Sequence, residues 1–251
     1  RRIFNVAIRT IQLHGGQAIY GVGGGITWDS TWESEYREVQ QKAAVLYRKQ
    51  PRFQLITTGK ISQKKLLFEN QHLERLQKTS RYFTFPFDAE DLRQKIEEEC
   101  QACDLHQDYR LRISLSKSGE IKIERQILLP LSSSFCQAKL CVQDADLQHP
   151  FTYFKTTHRP HLTMGNQEII YHTADGKLLE TSIGNLVLKM DGKLYTPPST
   201  LGLLPGIYRQ HLLESGQVEE KILTIEDLAQ AEAIYGCNAV RGLYELSVKE
   251  N

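Results

Sequence analysis

The chain has 251 residues, 40% of them apolar, which is enough material for more than one hydrophobic core. Its 31 basic and 30 acidic residues leave a formal charge of +1, which argues against a nucleic-acid or anionic membrane surface as the main partner. No apolar run approaches the roughly 20 residues of a membrane span and no signal-peptide pattern opens the chain, so a soluble, cytoplasmic protein is expected.

Residues 1–48 read as a β-β-α fragment: a strand-like run (IFNVAIRTIQL), a turn at Gly15-Gly16, a second strand (AIYGVGGGITW) and an acidic helix (ESEYREVQQKAAVLY). The glycine run 21–25 is not a P-loop, since no Gly-Lys-Ser/Thr follows, nor a dinucleotide fingerprint, since Trp28 stands where the last glycine belongs. It reads as a strand with a bulge or a close backbone approach. Glu35 and Glu38 share a helix face at i,i+3 spacing, which suits a metal ion.

A boundary is expected near Arg48–Pro51. The segment FQLITTGKI then predicts a strand, a turn at Gly59-Lys60 and a short second strand. FENQHLERLQKTSRYF predicts an amphipathic helix with Leu73, Leu76 and Tyr82 on one side. A helix over 88–104 and two strands, YRLRISLSKSG and EIKIERQIL, joined at Ser118-Gly119, complete a small domain, 51–145. The period of two puts Arg110 and Arg112 on one strand face, and Arg112 is the candidate for meeting a substrate carboxylate. The polar stretch from Gln143 to Pro150 reads as a linker. A larger domain, 151–251, follows, rich in short strands with Gly turns and ending in helices over 206–215 and 225–233. The five cysteines have no zinc spacing beyond Cys100-x-x-Cys103, and the histidines form no His-Glu-x-x-His pattern. Reduced thiols and no metal site are expected.

The chemistry concentrates between Tyr153 and Arg209. Lysine is the side chain that offers a primary amine to an aldehyde and can then act as a base; Lys155 follows two aromatics, Tyr153 and Phe154, that would desolvate it. Glu180 is a carboxylate able to keep a pyridine nitrogen protonated, and Asn185 follows it. Leu-Leu-Pro-Gly before IYRQHLLE reads as a helix start whose Gly206, Ile207 and Tyr208 amides would receive a phosphate. Amine, carboxylate and phosphate cup, in this order, suit pyridoxal 5′-phosphate.

The ordered set resembles the fold-type IV pyridoxal enzymes, which include branched-chain and D-amino-acid aminotransferases and 4-amino-4-deoxychorismate lyase. The matching pieces are HLERL (72–76), KTT (155–157), Glu180-x4-Asn185-Leu186, GKLYTPP (192–198), G-x-L-P-G-I-x-R (202–209) and CNA (237–239). The resemblance implies an α+β chain with a small α/β domain and a larger barrel-like one, usually homodimeric, with the cofactor between them. It also implies that Arg75 reaches the phosphate and that Asn238 closes the phosphate cup from the far side.

Residues 1–48 resemble in turn the C-terminal end of the chorismate-utilising synthases, through F-N-V-A-I-R-T, Y-G-V-G-G-G-I, Asp29-Ser30 and Glu35-Tyr36-x-Glu38. The rest of that fold is missing here, so the piece is taken as the end of an upstream domain of a fused polypeptide, one that a glutamine amidotransferase subunit would serve. Fusion of consecutive steps favours the lyase: 4-amino-4-deoxychorismate enters, and pyruvate and 4-aminobenzoate leave. The run Phe154 to Arg159 also resembles the lyase halves of such fusions, with Arg159 toward the substrate. His158 stands where asparagine is common, and Pro160-His161-Leu162 where an aromatic often follows. Lys155 would move the proton, and Thr58 would orient or protonate the leaving group. The alternatives are an aminotransferase using the same Lys155 and Glu180, and a non-catalytic remnant of the synthase.

Overall fold

The computed structural model describes residues 10–47, 51–133, 135–143, 149–163 and 165–248. The chain divides into two compact units between Pro51 and Arg52. In the first, β1 (Ile11–His14) pairs antiparallel with β2 (Gln17–Tyr20) around Gly15 and Gly16. The glycine run, expected inside the second strand, lies beyond β2 and pairs with no strand. Helix α1 (Trp32–Tyr47) follows and buries none of its residues. Lys42 Nζ donates to Gly23 O at 2.8 Å and pairs with Glu38 at 2.6 Å, while Ser30 Oγ donates to Glu35 at 2.7 Å. Both carboxylates suited to a metal are therefore already engaged, and among the described residues no group of three or more His, Cys, Asp or Glu could hold one. The FNVAIR part of the tail motif lies outside the described residues.

The second unit contains two sheets. The smaller has the order β4-β3-β5-β6, from β3 (Leu55–Ser62), β4 (Lys65–Leu66), β5 (Tyr109–Leu115) and β6 (Ile121–Ile127). Helices α2 (Glu69–Phe83) and α3 (Ala89–Gln101) lie between β4 and β5 in sequence. Leu55, Ile61, Leu111, Ile113 and Leu115 share a core with Leu73 and Leu76 of α2 and Leu92 and Ile96 of α3. The pleat then turns Ile56, Thr58, Arg110 and Arg112 to the opposite face.

Two local expectations differ here. Gly59 stays within β3, and the turn falls at Gln63 and Lys64, both left-handed (φ 49° and 58°). The glycine serves packing: a Cβ at 59 would lie 2.6 Å from His72 Nε2. On α2 the inward face is His72, Leu73, Leu76, Thr79 and Ser80, whereas Tyr82 is exposed and its ring lies 4.4 Å from that of Phe154.

The larger sheet comprises β7 (Gln137–Val142), β8 (Ile169–His172), β9 (Leu178–Thr181), β10 (Asn185–Met190), β11 (Lys193–Thr196), β12 (Glu219–Glu220), β13 (Ala233–Asn238) and β14 (Gly242–Val248). Strands β10, β13, β14, β7, β8 and β9 bond in that order, and β9 returns to β10 through the pair Glu180–Asn185, closing a barrel. Among the described residues three α-helices accompany it, α4 (Pro150–Tyr153), α5 (Ile207–Glu214) and α6 (Ile225–Gln230), with a 3-10 turn at Ser199–Leu201. Helix α6 stops short of 233 because Ala231 is already extended (ψ 135°), leading into β13. Ala138, Ile170, Leu178, Leu186, Leu188 and Leu246 form the buried apolar cluster of these strands. Of the expected linker, 144–148 lie outside the described residues. No helix among the described residues is long and apolar enough to cross a membrane.

Candidate active site

Lys155 follows α4 and is fixed by its backbone. Its carbonyl accepts from Ile56 N at 3.0 Å, Thr157 N donates to Gln54 O at 2.9 Å, and Thr156 bridges Leu55, so the segment lies as a short antiparallel addition to β3. Phe151 and Phe154 anchor it through Phe83, with ring centroids 5.5 Å and 5.4 Å away. Of the aromatics expected around the ammonium, Phe154 instead packs on Tyr82 and Phe83, and neither Tyr153 nor Phe154 lines the cavity into which Lys155 projects. Burial, and next the charges of Arg75 and Arg159, lower the Lys155 pKa to about 7, against the opposing pull of Glu180. The amine is therefore charged below neutrality and becomes nucleophilic above it.

Glu180, one residue before the end of β9, sits at the barrel seam, its side chain 2% exposed. Arg159 Nη2 donates to its Oε1 at 2.7 Å. Arg159, expected to face substrate, lines the cavity and also holds this carboxylate. Burial raises the Glu180 pKa, opposed chiefly by Arg159 and by the Leu204 amide. Across the seam, Asn185 Nδ2 donates to Leu204 O at 2.8 Å. Asn185 in turn lies against Gly206, the residue before α5. Gly206 has no side chain to cap the helix, which leaves the first-turn amides free for a ligand. Arg75 Nη2 donates to Pro205 O at 2.8 Å, bringing its guanidinium to the same helix start. Of the three residues expected to offer amides, Gly206 and Ile207 line the cavity; the Tyr208 ring turns away, toward Phe68 and His211.

Gly206→Ala tests this corner. Its backbone (φ −69°, ψ 143°) tolerates any residue, but a Cβ would fall 2.0 Å from Asn185 Oδ1, and Asn185 is itself buried. The variant is expected to lose ~1–3 kcal/mol of stability, read as a Tm lowered by several degrees in a thermal melt.

The cavity these elements enclose measures about 580 Å³. Thr58 and Arg112, register partners across β3 and β5, face it from the small sheet, with Arg110 beside them. Asn238 reaches it at the end of β13, although its side chain is spent on structure: Oδ1 accepts from the amides of Val240 and Arg241 at 3.0 and 2.9 Å. Six basic side chains, Arg75, Arg110, Arg112, Lys155, Arg159 and Arg241, meet one carboxylate, Glu180, around the cavity. That balance selects a ligand bearing several negative charges. Sequence reasoning did not single out Arg241: it follows the CNA motif by two residues and carries no local signal, and the barrel brings it to the cavity.

Residues 54–247 match the family model of amino-transferase class IV. The chain belongs to the class IV aminotransferase family. Its larger sheet is the barrel-like part of the fold-type IV architecture, seen also in a structure provisionally named as an amino-acid aminotransferase from Mesorhizobium loti (26% identity, TM-score 0.69, covering 78% of this chain and 100% of that one). A Legionella pneumophila structure provisionally named 4-amino-4-deoxychorismate lyase shares the fold at 21% identity and a TM-score of 0.63, covering 78% of this chain and 83% of that one. A Schizosaccharomyces pombe protein provisionally named aminodeoxychorismate lyase is 24% identical over 185 residues, 68% of this class IV chain and 79% of its own length. An uncharacterised Haemophilus influenzae protein is 38% identical over 69 residues; the match spans 28% of this chain and 36%, about a third, of that protein's length. Residues 2–48 match the chorismate binding enzyme family, so a chorismate-binding fragment precedes the class IV part.

Proposed function

We propose that this class IV chain binds pyridoxal 5′-phosphate and acts as a 4-amino-4-deoxychorismate lyase, releasing pyruvate and forming 4-aminobenzoate for folate synthesis. The observation that carries the reading is the convergence of Lys155, Glu180, Arg75 and the open start of α5 on one cationic cavity. The residues present fit the cofactor. The Gly206, Ile207 and Tyr208 amides with Arg75 would hold the phosphate, Asn238 would close that end, Lys155 would meet the aldehyde, and Glu180 would accept the pyridine N–H. When bound, the cofactor supplies an aldehyde that condenses with amines and a ring that withdraws electrons from the adjoining carbon.

The protein's own residues then have separate tasks. Lys155 Nζ, its pKa lowered to about 7 so that a large share is neutral at that pH, takes the proton from the amine-bearing ring carbon of the substrate. Arg159 holds Glu180 in place, so the carboxylate is preorganised toward the ring nitrogen. Thr58 and Arg112 would face the leaving side, where the hydroxyl assists the departing oxygen and the guanidinium binds a carboxylate. The C–O bond to the enolpyruvyl group breaks with its electron pair on oxygen, the ring gives up one proton, and the enol takes one up to become pyruvate. Aromatisation drives the step.

The small domain, 51–145, the larger one, 151–251, and a homodimer belong to this reading. So does a longer polypeptide in which residues 1–48 end the synthase that supplies the substrate, aided by a glutamine amidotransferase subunit. An amino-acid aminotransferase is the second reading, favoured by the 26% identity to the Mesorhizobium structure so named. The test is to add the cofactor to the purified chain, reduce with borohydride and locate the label. Turnover is then compared on 4-amino-4-deoxychorismate and on D-alanine or leucine with 2-oxoglutarate. Product from the first substrate alone supports the lyase, product from the amino acids moves the assignment to a transaminase, and a colourless, unlabelled protein overturns both.

Acidity gives a further expectation. Since the native amine deprotonates near pH 7, the rate of cofactor attachment should rise with pH to a plateau just above neutrality. An unperturbed lysine would keep rising toward pH 10. Stopped-flow absorbance across this range distinguishes the two profiles.

A further inference from the structure

Between the small sheet and the barrel, basic groups continue past those the proposed cofactor employs. Arg110 and Arg112 leave β5 on the same face, and Arg241, from the tight turn between β13 and β14, lines the same cavity. The turn is built to fix Arg241: Asn238 Oδ1 binds its amide at 2.9 Å, and Gly242 follows in a left-handed conformation (φ 68°). Among the described residues Glu124 is the carboxylate near Arg112 and acts electrostatically on Arg110, while Arg241 has no carboxylate partner. Arg112 comes within 3.9 Å of Glu124, Arg110 Nη1 donates to Gln126 at 3.3 Å, and among the described residues the Arg241 guanidinium makes no hydrogen bond or ion pair. Burial lowers the pKa of both Arg110 and Arg241, and the charge of Arg110 adds to the effect on Arg241, so the two lie within electrostatic reach. Partly buried like charges lining one cavity are unfavourable until an anion sits beside them. Beside them the wall is apolar, formed by Leu131, Phe135 and Leu162.

We infer that Arg241 and Arg110 form a second carboxylate subsite, which makes the cavity selective for a ring-bearing amine with two carboxylates over one with a single carboxylate. This rests on the proposed pyridoxal site only for its orientation, since Arg75 and the α5 start take the phosphate and leave the mouth to substrate. Guanidinium pairs are suited to the task, because each presents a planar donor fork to a carboxylate and stays charged at any working pH. Arg241 is a specificity-determining residue in this assignment, and Asn238 positions it.

Calorimetric titration of the cofactor-loaded chain with 5-aminoisophthalate and with 3-aminobenzoate tests the subsite. The diacid is expected to bind about tenfold or more tightly than the monoacid. Arg241→Gln and Arg110→Gln should each bring the two affinities close to parity by weakening the diacid, while Arg241→Lys, which keeps the charge, restores part of the preference. Equal binding of the two probes by the unmodified protein, or a preference that survives both glutamine variants, would overturn the subsite. A loss of cofactor absorbance in Arg241→Gln would also overturn it, by reassigning the residue to the phosphate. If the unmodified chain never acquires the cofactor band yet still prefers the diacid, the pyridoxal reading fails and the subsite stands.

Discussion

Lys155→Ala should abolish turnover, by at least ~10⁴-fold, while the protein folds as before. The two halves of the expectation have different origins. The chemical half follows because Nζ is the amine placed toward the cavity with its pKa drawn down to about 7. The structural half follows because the segment is held by its backbone and by Phe151 and Phe154, not by the ammonium. The Lys155 carbonyl that accepts from Ile56 N is retained in alanine. Removing a cation crowded by Arg75 and Arg159 should leave stability unchanged or slightly raised. Product formation, circular dichroism and a thermal melt measured on one preparation check both halves. More than one hundredth of normal turnover in the variant would remove Lys155 from the chemistry.

Glu180→Gln should slow turnover by ~10²-fold or more with the cofactor still bound, since the amide can accept a hydrogen bond but cannot hold a pyridinium proton by charge. The same change withdraws the one carboxylate facing Lys155, leaving the arginine charges unopposed, so the Lys155 pKa should fall further. The pH at which the cofactor attaches then moves to the acid side of the normal profile. That shift reports the charge of Glu180 beside Lys155, whereas the loss of turnover reports its role at the ring nitrogen. Arg159 loses its ionic partner in the variant, and a stability loss of about 1–3 kcal/mol is expected, which the Tm reports separately. Turnover at the normal rate would mean that Glu180 is not the partner of the ring nitrogen.

Much of the chain's organisation was legible beforehand because it is written in local signals. The period-two alternation of YRLRISL placed β5 and aligned Arg110 with Arg112, and Gly15-Gly16 marked the first hairpin. The Pro-Gly pair ahead of IYRQHLLE located the start of α5. Less was legible where one residue type serves two purposes. Gly59 looked like a turn and is a packing glycine under His72, and Tyr82 looked like part of a core-facing helix stripe and lies exposed over Phe154. Arg159 offered no hint that it would pair with Glu180 inside the cavity it lines.

Amino-acid order alone therefore determined which chemical groups are available, an amine, a carboxylate and an uncapped helix start, because each announces itself within a few neighbours. Which of them meet was decided by the fold. Barrel closure at the Glu180–Asn185 pair carries Glu180 to its place, and the strip of backbone bonding to β3 carries Lys155. The β13–β14 turn delivers Arg241 to the cavity that a strand more than a hundred residues earlier also lines. Such pairings are set by long-range register and by the packing of two sheets, and neither leaves a periodic trace in the residues on either side.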